Sequence, residues 1–173
     1  MKVSKFEDLL TTELERLYEA ENQILEALPK MIAVVTSGEL AEVLQAHRDQ
    51  TKEHLQRLDK IFESIGEQPG SLRSEGTEGL IQELERMLTE LDKSATLDAA
   101  LILVSQRLEH CEIVSYQMLQ TIAALLGQQE TSELLQASLD EEMAAVETLE
   151  TIAEKVLTGA TSSMERSGRS GVG

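Results

Sequence analysis

The sequence predicts an all-α protein, a four-helix bundle with a long crossover that contains an extra helix. Three observations carry this. Long runs rich in Glu, Leu, Ala and Gln are interrupted by only two prolines in 173 residues, a composition that suits helix and leaves little to break it. Apolar residues recur at spacings of three and four along four long segments. The connections between these segments are short, long and short in turn. Aromatic residues make up only 2% of the chain, so the core must be built from aliphatic side chains.

The first helix is predicted over about 4–28, with Leu10, Leu14, Leu17, Ile24 and Leu28 on one face. Pro29 should end or kink it, because proline lacks the amide donor and clashes with the preceding turn. "TSGEL" then supplies a start signal, with Thr36 or Ser37 as N-cap and Glu39 in the first turn. The second helix runs to about Ile65, where "GEQPGS" is a stop signal. The connection that follows carries an amphipathic stretch of its own over about 77–92. The third main helix is expected over about 97–126 and the fourth over about 131–157. The domain is therefore placed at 1–158. The Gly/Ser-rich remainder, 159–173, is read as a disordered tail. Two helical hairpins joined by one long crossover are wired as in a ferritin-like bundle.

The formal charge of −17 argues against nucleic acid and anionic membrane surfaces, which need clustered Lys and Arg. No segment reads as membrane-spanning or as a signal peptide. A single cysteine, Cys111, allows no internal disulfide and fits a reducing cytoplasm. Phosphate loops, His-Glu-x-x-His zinc signatures and nucleophile elbows are missing from the sequence.

The informative residues are polar side chains inside apolar stripes. Glu21 sits mid-stripe on the first helix, His54 on the second, Glu112 on the third and Glu142 on the fourth. Glu109 lies roughly 60° to one side of Glu112, and His110 points to the opposite face. Any one of these could sit at a stripe edge and reach solvent. One per helix, near mid-helix, is harder to explain without convergence. Buried carboxylates that face one another must take up protons or find a cation. Carboxylate oxygens with an imidazole suit iron, manganese or zinc. The competing reading is a buried hydrogen-bond network with no metal. His47 is read as a core side chain, with support of a ligand as the alternative, and Cys111 as a small apolar one; Tyr18 and Tyr116 are read as stripe-edge packing residues, with a hydrogen bond to a carboxylate as the alternative.

"LYEAENQILEALPKM", "TKEHLQRLDKIFESIGEQP", "LEHCEIVSYQMLQTIAALLG" and "LLQASLDEEMAAVETLETIA" together resemble the YciE/YciF family of ferritin-like proteins, over about 6–156. The resemblance implies a bundle similar to ferritins and rubrerythrins, a dimer, a link to bacterial stress responses and no settled activity. It also implies a metal site, with oxygen or peroxide as a possible small-molecule oxidant. In the di-metal template one Glu comes from each of two helices and a Glu-x-x-His pair from each of the others. Glu21 and Glu112 (or Glu109) match the single glutamates, His54 one histidine and Glu142 one glutamate. Thr51 stands where a glutamate belongs, and Ala145 where a histidine belongs. Gln50 and Val146 occupy positions where the family tends to place acids. Two metals, one or none remain open on this reading.

Overall fold

In a computed structural model, residues 5–70 and 72–169 are described, with side chains up to 160. The chain forms α1 (Phe6–Ile32), α2 (Gly38–Ile65), α3 (Glu75–Glu90), α4 (Ala95–Leu125) and α5 (Gln129–Arg169), with no strand among the described residues.

The predicted boundaries hold at most ends, for the reasons anticipated. The Ser37 side chain accepts from the Leu40 amide and caps α2, and Ser94 caps α4 in the same way through Leu97. Gly66 ends α2 in the left-handed conformation at φ 73°, and Gly127 adopts the same φ between α4 and α5, a region that only glycine enters freely. Two ends differ. The helix α1 continues through Pro29 to Ile32; lying so close to the C-terminus, the ring costs one helical hydrogen bond and does not stop the last turn. The backbone of α5 is helical to Arg169, across much of the stretch read as a tail. Side chains of 161–169 and all of 170–173 lie outside the described residues.

The helices form a ring in which α1 packs on α2 and α4, and α5 packs on α2 and, most extensively, on α4; α3 lies in the groove between α1 and α4. Their directions are fixed by a polar latch at one end. Asp98, 2% exposed in the first turn of α4, accepts from the Thr36 amide (2.8 Å), the Thr36 hydroxyl (2.6 Å) and the Ser37 amide (2.9 Å). The start of α2 therefore meets the start of α4, so these two helices run parallel. Every neighbouring pair around the ring is then antiparallel. That is the consequence of a crossover spanning the length of the bundle, with α3 as its rigid part.

The core is split into two apolar blocks. One holds Ile24, Leu28, Met31, Leu40, Leu44, Leu101, Leu108, Leu149 and Ile152. The other holds Leu10, Leu14, Leu17, Leu58, Ile61, Phe62, Leu119, Ile122 and Leu135. Along each main helix the change from one block to the other falls at the polar residue singled out above. A polar layer thus crosses the bundle between two greasy halves.

Candidate metal centre

The layer contains all five predicted residues. Glu21, His54 and Glu142 are fully buried, Glu109 is 1% exposed and Glu112 2%. His47, read as a core side chain, is buried and also belongs to the layer: its Nε2 lies 3.2 Å from Glu109 Oε1. His110 points outward as predicted and contacts the Gln106 carbonyl. Cys111 departs from its reading as a packed apolar side chain, because its position on α4 faces solvent.

Two sets of donors can be drawn. His47, Glu109, Glu112 and Glu142 each present a ligand atom within 4.8 Å of one another, and so do Glu21, His54 and Glu142. Glu142 is common to both. Four carboxylates and two imidazoles result, a donor complement that would neutralise two divalent ions. The template positions that this chain lacks are covered from elsewhere. Thr51 is buried and spends its hydroxyl on the His47 carbonyl (3.0 Å), so it supplies no ligand. On α5 the inward residue after Glu142 is Val146, so that helix supplies no imidazole. The second imidazole comes from His47, seven residues before His54 on the same face of α2. The fourth carboxylate comes from Glu109, one turn before Glu112.

The hydrogen bonds around the layer orient these groups. His54 Nε2 meets Glu141 Oε2 at 2.8 Å. Glu141 is in turn gripped by Arg57 through two 2.7 Å bonds. This leaves His54 Nδ1 facing Glu142 Oε1 at 2.9 Å and Glu21 Oε1 at 3.2 Å. A carboxylate behind the imidazole fixes its tautomer and aims its lone pair, as outer partners of metal-bound histidines do. Tyr116, fully buried, donates its hydroxyl to Glu21 Oε1.

Apart from the facing His54 Nδ1 and Glu142 Oε1, six buried atoms of the layer have no hydrogen-bond partner: Glu21 Oε2, His47 Nδ1, Glu109 Oε2, Glu142 Oε2 and both oxygens of Glu112. Orphaned buried acceptors at this density are costly, and a cation removes the cost. The residues present therefore fit a carboxylate-rich metal centre.

Without a cation the layer must hold protons. Burial, reinforced by Glu142, raises Glu109 well above the carboxylate range, and burial with the charges of Glu21 and Glu142 does the same to Glu112. Burial also raises Glu21, against the pull of His54. Glu142 behaves in the opposite way. Burial works to raise it, yet Glu109 and His54 beside it bring it to about 2. Burial works to lower His54, but Glu142 and Glu21 outweigh it and push the imidazole up to about 10. The metal-free centre is therefore an ionised Glu142 against a charged His54, with Glu109 and Glu112 kept neutral.

Sequence reasoning passed over Glu141, Arg57 and Asp98. Glu141 and Arg57 sit beside their stripes, and nothing in the spacing marks them. Asp98 carries a helix N-terminal signature, but its partners come from a distant turn.

A bundle of this wiring with a carboxylate-histidine layer is of the ferritin-like class. Residues 5–161 match the family described as a domain of unknown function (DUF892), and the chain belongs to that family. It is 33% identical to YciF of Escherichia coli K12 over 145 residues, 83% of this chain and 87% of that protein. The crystal structure of E. coli YciF, described as a stress protein, superposes with a TM-score of 0.87 at 31% identity, covering 90% of this chain and 99% of that one. A putative structural protein from Rhodopseudomonas palustris gives 0.82 at 37% identity, covering 87% and 96%. A dodecameric thioferritin from Bacteroides fragilis gives 0.66 at 15% identity over 94% and 91% of the chains, a likeness of fold.

Proposed function

We propose that this chain is a metal-binding ferritin-like protein whose central layer holds two divalent ions, iron by the chemistry of its donors, in a bacterial stress setting like that named for YciF. The observation that carries this reading is the set of six orphaned buried atoms gathered around one shared carboxylate. Oxygen-rich ligands with two imidazoles suit iron or manganese, with zinc as an alternative occupant. Iron at such a site supplies one-electron redox chemistry toward dioxygen or peroxide.

The residues divide the work. Glu142 is shared between both donor sets. Glu109, Glu112 and His47 complete one set, and Glu21 with His54 completes the other. Arg57 and Glu141 hold the His54 ring, and Tyr116 holds Glu21. The two apolar blocks exclude water above and below, which strengthens every charge interaction within the layer.

A homodimer is part of the proposal. Leu103, Val114, Met118 and Leu125 form an apolar stripe on the outer face of α4 and are 45%, 65%, 60% and 78% exposed. A helix apolar on both inner and outer faces suits a partner on the outside. Among the described residues no helix is long and apolar enough to cross a membrane, and an accessible free thiol at Cys111 suits a reducing cytoplasm.

The test is elemental analysis of protein purified without chelator, alongside anaerobic Fe(II) loading of the metal-free chain and of Glu112→Ala. The reading expects two ions per chain, reduced in the variant. A parent chain that takes up no metal under loading sinks it. A metal-free structural dimer is the second reading, and the uncharged Gln50 and Val146 favour it. It leaves the six orphaned atoms without a partner.

A further inference from the structure

The layer is closed off on most sides, since the apolar blocks seal both directions along the bundle axis. One donor has a second environment. Glu112 also lines a cavity of about 540 Å³ between α1, the start of α3 and α4, together with Arg16, Ala20, Glu75, Cys111 and Ser115. Glu112 is 2% exposed and neither of its carboxylate oxygens has a hydrogen-bond partner. A second cavity, of about 640 Å³, lies by Thr36, Asp98 and Lys155 and touches none of the six donors.

We propose that the cavity at Glu112 is the entry route by which a hydrated divalent cation reaches the centre, with Glu112 the first ligand it meets. This rests on the two-metal reading above. The space is many times the roughly 30 Å³ of a water molecule, so an ion can arrive with its hydration shell and shed it at the carboxylate. The mouth does not repel cations. Its two guanidinium groups are offset by neighbours, Arg16 by Glu13 at 3.1 Å and Arg73 by Glu78 at 3.1 Å. Glu75 has no ion pair among the described residues and adds an uncompensated negative charge. The chain's charge of −17 concentrates cations near the surface.

Cys111 makes the route testable. It is the only cysteine in the chain, it is exposed, and it stands on the cavity wall next to Glu112. The metal-free full chain is alkylated with N-ethylmaleimide, and Co(II) uptake is followed by stopped-flow visible absorption. Final stoichiometry is read by elemental analysis. Alkylation is expected to slow loading at least tenfold without changing the final Co(II) content, and to slow chelator extraction of the loaded protein in proportion. Cys111→Ser, given the same reagent, should load at the untreated rate. Full alkylation with an unchanged loading rate overturns the route. A loss of final Co(II) content at unchanged rate also overturns it, because the adduct then disturbs ligands and not a path. If the untreated chain takes up no Co(II), the metal reading itself fails and the route falls with it.

Discussion

Replacing Glu112 by glutamine separates the two states of the centre. In the metal-free chain the Glu112 carboxyl is held neutral by burial and by the charges of Glu21 and Glu142, and no donor binds it. An amide of the same shape should therefore be tolerated, with a metal-free stability change within about 1 kcal/mol at pH 5. The sign of the pH dependence follows from linkage. A carboxyl whose folded pKa is raised stabilises the fold below its unfolded value, and that contribution is lost as pH rises through the folded value. Glutamine has nothing to lose, so the stability of Glu112→Gln relative to wild type should improve as pH increases. With metal the order reverses. Glu112 belongs to one of the two donor sets and not to the other, so one of two binding increments should vanish. At free metal about 100 times the Kd, one site contributes about 2.7 kcal/mol. For a chain of this size that is worth about 5–11 °C in Tm. The assay is thermal unfolding by circular dichroism, with EDTA and with saturating Mn(II), for wild type and variant. The reasoning fails if the variant keeps the full metal-induced rise in Tm. It also fails if the metal-free variant loses more than about 3 kcal/mol, since that would mean Glu112 is an ionised, partnered group.

Three further outcomes are expected. His47→Ala should halve the bound metal by elemental analysis while leaving the set of Glu21, His54 and Glu142 able to bind; full retention of two ions would return His47 to a packing role. Arg57→Ala should free Glu141, loosen the His54 ring and weaken metal affinity by about 10–100-fold in competition titrations, with stoichiometry unchanged; equal affinity would refute the positioning role. Metal affinity should rise with pH, because ions must displace protons from the raised carboxyls of Glu109 and Glu112 and from a His54 held at about 10. Calorimetry in buffers of different ionisation enthalpy counts those protons, and no proton release would contradict the charge scheme.

Periodicity was enough to place Glu21, His54, Glu109, Glu112 and Glu142, because a carboxylate inside an aliphatic stripe violates the pattern that surrounds it. It could not place His47 as a donor. Seven residues put it on the same face as His54, but whether it meets Glu109 depends on how α2 and α4 align along the axis, and a single helix carries no such information. The alignment is set by Asp98 and the Thr36–Ser37 turn, a contact across more than sixty positions. Ala145 was placed on the inner face of α5 where Val146 in fact turns inward, since positions three and four residues after Glu142 flank the same helix face and spacing alone does not choose between them. Pro29 was expected to end or kink α1, and tertiary packing carried the helix on to Ile32.

The polar layer also acts as a ruler for the bundle. Two aliphatic halves of similar composition could slide past one another by a helical turn, about 5.4 Å, and still bury much of the same surface. With the layer present, such a slip on α5 would bring Glu142 against leucines and separate His54 from Glu141 and Glu142, leaving charged groups buried without their partners. Only one alignment keeps every member of the layer together. The chain therefore selects its helix register before any ion binds, and the donors are already gathered when one arrives.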